Sequence, residues 1–223
     1  GEGVTALEEA IDIIRGVWAT HERAPLRAGG TFHRVDGAKR GPAPAHDVPI
    51  WLGALKPRML RLVGRKADGW LPSLSYLAQD DGGNGTQAFA RGNAAIDEAA
   101  EAAGRDPREV RRLLNIGGRF TPVRRGFLDG PAGSWVEDLL PLVVEQGAGT
   151  FIVSSDDPNV LREFALDVAP ALREAVDRVV PGGSAGVRVR PRASLALRRE
   201  GVAYDDVPES LRDGPHTTPG ELT

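Results

Sequence analysis

Apolar residues near the start of the chain recur at helical spacing. Leu7, Ala10, Ile11, Ile14, Val17 and Trp18 share one face. Thr5-Ala6-Leu7-Glu8 has the form of a capping box, so the pattern predicts a helix from Thr5 to about residue 19. Residues 20–47 have no period and carry Gly and Pro throughout. They read as an excursion between core elements, with a short hairpin at Thr31 to Val35. A buried strand is expected over 48–53, then a tight turn and a helix from Pro57 to Ala67 with Met59, Leu60, Leu62 and Val63 facing inward. A second strand follows at Gly69 to Ser73, then a polar, Gly-rich loop to about Gly85. A long Ala-rich helix from Gln87 to Ala103 ends at Gly104, and Asp106-Pro107 caps one more turn.

The third expected strand is Arg111 to Phe120. Ser134-Trp135-Val136-Glu137 offers another capping box before an apolar helix that runs to Gly147. The fourth strand is Thr150 to Ser154. Asp157-Pro158 then starts a last helix, which Pro170 should kink or end early. The strands are apolar almost throughout, and helices separate them. That order argues for a parallel sheet covered on both faces or a barrel wall, an α/β fold. From Pro181 the pattern dissolves, and 181–223 is expected to be a linker or tail leading to a further domain.

Composition narrows the partners. A 223-residue chain that is 41% hydrophobic has enough apolar material for a core over 1–180. A net charge of -3 gives no global attraction to nucleic acid or anionic membrane. The five arginines between Arg188 and Arg199 lack interleaved aromatics and read as a solvated stretch. With no cysteine there are no disulfides or thiolate sites, and no histidine or acidic cluster predicts a metal. No apolar run approaches the roughly 20 residues of a membrane span. The acidic opening GEGVTALEEA is unlike a signal peptide, so a soluble, cytoplasmic protein is expected. The single methionine, Met59, lies inside a predicted helix, which suggests that residue 1 is not a natural start.

Candidate chemistry gathers at strand exits. Gly53-Ala54-Leu55-Lys56 joins a strand's C-terminal end to a helix N-terminus, where free amides and the helix dipole suit a phosphate. The bland alternative is a plain turn with a surface lysine. Ser73 leaves the second strand on the same side, and Arg119 follows two glycines that either admit a ligand or mark a bulge. Asp68 lies at the opposite strand end and is expected to cap a turn or pair with an arginine. Trp70 is expected in the core, and Asp157 as a helix cap. His21, His33, His46 and His216 do not converge.

The ordered stretches ALEEAIDIIRGVW, GPAPAHDVPIWLGALKPRMLRLVGRKADGWLPS, AGRDPREV, GAGTFIV and LREFALDVAPALRE resemble the C-terminal half of luciferase-like flavin-dependent oxidoreductases, over about residues 5–178. The resemblance implies a partial TIM barrel, its fifth to eighth strands, cut from a longer polypeptide. It also implies FMN or the 8-hydroxy-5-deazaflavin coenzyme F420, with the phosphate held by Gly53, Ala54, Leu55 and Lys56, and a small-molecule substrate that Ser73 and Arg119 would contact. Hydride transfer or monooxygenation is the implied activity, feeble in this chain alone, and no catalytic residue can be assigned. The tail from Arg198 resembles the lead-in to flavin-linked oxidase domains. Two other readings remain: a non-catalytic half-barrel that pairs with a second copy or with a missing N-terminal half, and a phosphosugar-type barrel enzyme using the same turn.

Overall fold

The computed structural model describes residues 2–180. The tail expected over 181–223, with its arginines and His216, lies outside the described residues. Helix α1 (Glu2–Trp18) opens the chain and a hairpin follows, β1 (Leu26–Gly29) antiparallel to β2 (Arg34–Ala38). Next come β3 (Trp51–Leu52), α2 (Pro57–Lys66), β4 (Gly69–Trp70), α3 (Leu74–Asp81) and α4 (Thr86–Ala102). The remainder is β5 (Arg111–Ile116), β6 (Arg119–Phe120), β7 (Asp129–Gly130), α5 (Ala132–Val144), β8 (Ala148–Val153), α6 (Pro158–Glu163) and α7 (Ala169–Val179).

Strands β3, β4, β5 and β8 form one sheet in that order, every pair parallel. The order never reverses, so the sheet winds in one direction as a barrel wall does. In a doubly wound sheet it would turn back. Side chains in register point to the same side of a sheet. One row is Leu52, Trp70 and Arg112, continued by Leu114, Ile116, Phe151 and Val153. These positions face the helices, and Trp70, Leu114 and Ile116 are buried in one core with Leu60 and Val63 of α2, Phe89 and Ile96 of α4, and Trp135 and Leu139 of α5. The other row holds Trp51, Gly69, Leu113, Asn115, Thr150 and Ile152. This row is unevenly covered among the described residues: Trp51 and Ile152 remain 39% and 38% exposed, while Leu113 is buried and closes with Trp51 over Gly69. The fold is α/β, a partial barrel of four parallel βα units.

Four local expectations need correction. Helix α1 already runs at Glu2, so Thr5 lies inside it and caps nothing; an acidic residue in the first turn suits the helix dipole there. The loop expected after Ser73 contains α3, because Leu74 and Leu77 are buried one turn apart and Gly82 ends the helix in the left-handed region. The strand expected to reach Phe120 stops at Ile116, and Arg119–Phe120 pairs separately with β7. Helix α5 begins at Ala132, so Ser134 falls within its first turn. Its hydroxyl donates to the Pro131 carbonyl at 2.8 Å instead of capping an amide.

Elsewhere the local chemistry acts as expected. Asp106 and Asp157 accept the amides of Arg108 and Asn159 at the starts of their turns. Pro170 lacks the N–H that would continue α6, and the chain widens into a π-turn over Phe164–Val168 before α7.

Candidate active site at the C-terminal edge of the sheet

All four strand exits share one edge. The Leu71 amide donates to the Leu52 carbonyl at 2.9 Å, Asn115 to Pro72 at 3.0 Å and Ser154 to Ile116 at 2.8 Å. Barrel enzymes build their sites on this edge.

The turn after β3 is its most unusual part. Lys56 is the N-cap residue of α2 in extended conformation, with no side-chain cap, and the first turn carries no acidic residue. Pro57 contributes no amide, and the Lys56 carbonyl accepts from Met59 and Leu60. Among the described residues, no backbone partner takes the amides of Ala54, Leu55, Lys56 or Arg58. The Arg58 amide was not among the candidates read from the sequence. It follows from the ordinary rule that the first amides of a helix lack internal acceptors. A Cβ on Gly53 would meet only the Leu71 carbonyl oxygen at 3.4 Å, so neither crowding nor a left-handed φ requires glycine there. Ala54 is buried, whereas Leu55 and Lys56 are exposed.

The start of α4 is the contrast. There the Asp81 carboxylate accepts the Gly83 amide at 2.9 Å, Gly85 at 3.3 Å and Ala88 at 3.2 Å. These bonds, the one from Gly83 foremost, hold its carboxyl below the usual carboxylate range. That helix start already has its anion; among the described residues none caps α2. Lys56 is 80% exposed, with its ammonium 4.0 Å from Asp80, which also lies 3.5 Å from Arg91. Exposed pairs of this kind contribute less than about 1 kcal/mol, so Asp80 does not tie the ammonium down.

The other candidates fall into place unequally. Ser73 pairs with Asn115 through an isolated parallel bridge at the same edge, half-buried, and its hydroxyl lies 2.9 Å from that of Ser75. Arg119 belongs to the small β6–β7 sheet and is paired with Asp129, whose carboxyl it holds below the usual range. A Cβ on Gly118 would strike the Leu128 carbonyl oxygen at 2.1 Å, so this glycine serves packing of the loop. Asp68 sits at the opposite edge, accepting from Arg15 at 2.9 Å and from the Ile50 amide at 2.8 Å. Trp70 is fully buried. Among the described residues, no group of His, Asp and Glu could hold a metal, and no helix is long and apolar enough to cross a membrane.

The sequence profile of the family described as luciferase-like monooxygenase matches residues 1–117. The phthiodiolone/phenolphthiodiolone dimycocerosates ketoreductase of Mycobacterium tuberculosis (strain ATCC 25618 / H37Rv) is 32% identical over 143 residues, 63% of this chain and 33% of that protein. The F420-dependent glucose-6-phosphate dehydrogenase of Microbacterium testaceum is 27% identical over 189 residues, 76% of this chain and 53% of the relative. The chain thus spans a third to a half of these curated relatives. Among solved structures, an F420-dependent secondary alcohol dehydrogenase in complex with an F420-acetone adduct superposes with a TM-score of 0.57 at 17% identity, covering 74% of this chain and 60% of the other. The profile match takes in more than half of the residues, and the chain belongs to the luciferase-like monooxygenase family.

Proposed function

We propose that this chain supplies the phosphate anchor and part of the substrate wall of an oxidoreductase that uses FMN or F420. The observation that carries the reading is the uncapped start of α2, whose free amides open on the C-terminal edge of a parallel sheet, while the start of α4 is filled by Asp81. The residues present fit a phosphate. Among the described residues the amides of Ala54, Leu55, Lys56 and Arg58 have no acceptor, and the exposed Lys56 ammonium, only loosely paired with Asp80, can add charge. When bound, the coenzyme supplies the hydride transfer or oxygen activation. The turn binds and orients its anionic end. Ser73 beside Asn115 would line the adjoining wall, and Trp51, Leu113 and Ile152 would offer it apolar surface.

Names of the relatives support an F420- or flavin-linked reaction; because the chain spans only a third to a half of the curated relatives, the full activity is proposed for a polypeptide extended upstream. A second reading draws on the partly exposed inner face and on β3 and β8, which end the four-stranded sheet: pairing with a further copy or with an N-terminal half. Titration of the chain, and of a version extended upstream, with FMN and F420 tests the first reading by absorbance. Saturable binding of either supports it. Binding of neither by the extended version overturns it, and a concentration-dependent dimer indifferent to both would favour the second. Saturable binding of a sugar phosphate alone would favour a phosphosugar enzyme.

A further inference from the structure

Trp70 does more than fill the core. Its indole N–H donates to the Ala54 carbonyl at 2.8 Å, a buried bond spanning 16 residues. A tryptophan ring has no acceptor atom, and this single donor is spent on the turn after β3. A trans peptide is planar, so its carbonyl and the following N–H point in opposite directions. Drawing the Ala54 carbonyl inward therefore aims the Leu55 amide outward, to the exposed side of the turn. The ring itself has little freedom. It stacks on Phe89 with centroids 5.1 Å apart and planes 13° from parallel, and a Cβ at Gly92 would lie 2.1 Å from its Cη2. Helix α4 thus fixes the indole, and the indole fixes the turn.

We infer that Trp70 is a positioning residue for the anion-binding turn, setting the direction of the Leu55 amide and hence the affinity for a phosphate-bearing coenzyme. The inference rests on the proposed phosphate site. Trp70→Phe removes the donor and keeps an aromatic ring; Phe89→Leu weakens the stack and keeps the donor. Each variant of the full chain is titrated with FMN against riboflavin, and with F420 against its phosphate-free 8-hydroxy-5-deazariboflavin core, beside its Tm. The expected result for Trp70→Phe is an affinity loss of about 5- to 10-fold for the phosphate-bearing member of the pair. Its phosphate-free counterpart should be unaffected. Phe89→Leu, which keeps the donor, should lower Tm and change the ratio of the two affinities less than Trp70→Phe does.

An unchanged ratio in Trp70→Phe would make Trp70 a packing residue and overturn the inference, leaving the phosphate site standing. Absence of any preference for the phosphate-bearing member in the unaltered chain would overturn the site and the inference together. If Trp70→Phe does not fold, the indole N–H resonance of Trp70 in the unaltered chain decides. It must shift with the phosphate-bearing coenzyme and stay in place with the phosphate-free one; an equal response, or none, overturns the inference.

Discussion

Arg15 of α1 reaches Asp68 at 2.9 and 3.0 Å to its two carboxylate oxygens, and the same carboxylate accepts the Ile50 amide at 2.8 Å. One aspartate thus ties the first helix to the entry of β3, at the edge of the sheet opposite the proposed site. Asp68→Asn weakens the charge-assisted pair and retains one acceptor. Since both partners are partly exposed, the expected loss is about 1 kcal/mol of stability. Coenzyme affinity should not change. Chemical denaturation and coenzyme titration check the two halves of this prediction, and a large affinity loss would place Asp68 in the chemistry after all.

Lys56→Asp should move stability and binding in opposite directions. Lys56 is an N-cap residue in extended conformation with no side-chain cap, where aspartate is favoured. Installing it should add about 1 kcal/mol of stability. The same carboxylate would occupy the amides meant for phosphate and replace a cation, weakening coenzyme binding more than about tenfold, or about 1.4 kcal/mol. A rise in Tm with undiminished binding would remove the turn from the site.

Gly92→Ala sets two effects against each other. Alanine in a helix gains about 1 kcal/mol over glycine, but the methyl would lie 2.1 Å from the Trp70 ring. Overpacking of a rigid aromatic costs about 1–3 kcal/mol. Ring and turn are held on several sides, so the clash should prevail and Tm should fall. A higher Tm would mean that the indole has room to move.

The hairpin's pH response follows from Glu9. Its carboxylate accepts the amides of Thr31 at 2.7 Å, Phe32 at 2.9 Å and His33 at 2.9 Å. These bonds, the one from Phe32 foremost, lower its pKa from the ordinary 4.5. A depressed folded-state pKa means the docking is fully present above 4.5 and is lost as pH falls through the lower, folded value. Hydrogen exchange at the three amides should therefore be slow at neutral pH and accelerate, relative to the intrinsic rate, only below the usual carboxylate range. In Glu9→Gln the protection should already be reduced at pH 7.

Most of the frame was legible because short-range patterns carry it. The order of four apolar strands, Pro57 at a helix start and Asp157 before Pro158 are local signals that the packing respects. Helix α3 was hidden because its few apolar residues, Leu74 and Leu77, lead into the polar run Gln79–Gly85, whose Asp81 in fact caps the next helix. Both capping-box motifs misled for one reason. A hydroxyl three residues before a glutamate is common, and whether the helix begins there depends on what precedes it. The turn at Gly53–Lys56 was readable from a strand followed by glycine and proline. The bond from Trp70 to Ala54 was not, since nothing in sequence spacing announces a side chain reaching across to a neighbouring strand's exit. Arg119 looked free for substrate only because its partner Asp129 lies across a loop that sequence alone does not close.

The most direct test of the phosphate turn follows the backbone amide resonances of the full chain during titration with FMN or F420 and with their phosphate-free cores. The account predicts that Ala54, Leu55, Lys56 and Arg58 shift with the phosphate-bearing coenzyme and stay in place with the core. Shifts confined to the start of α4 or to the loop around Arg119, with those four amides unmoved, would contradict it.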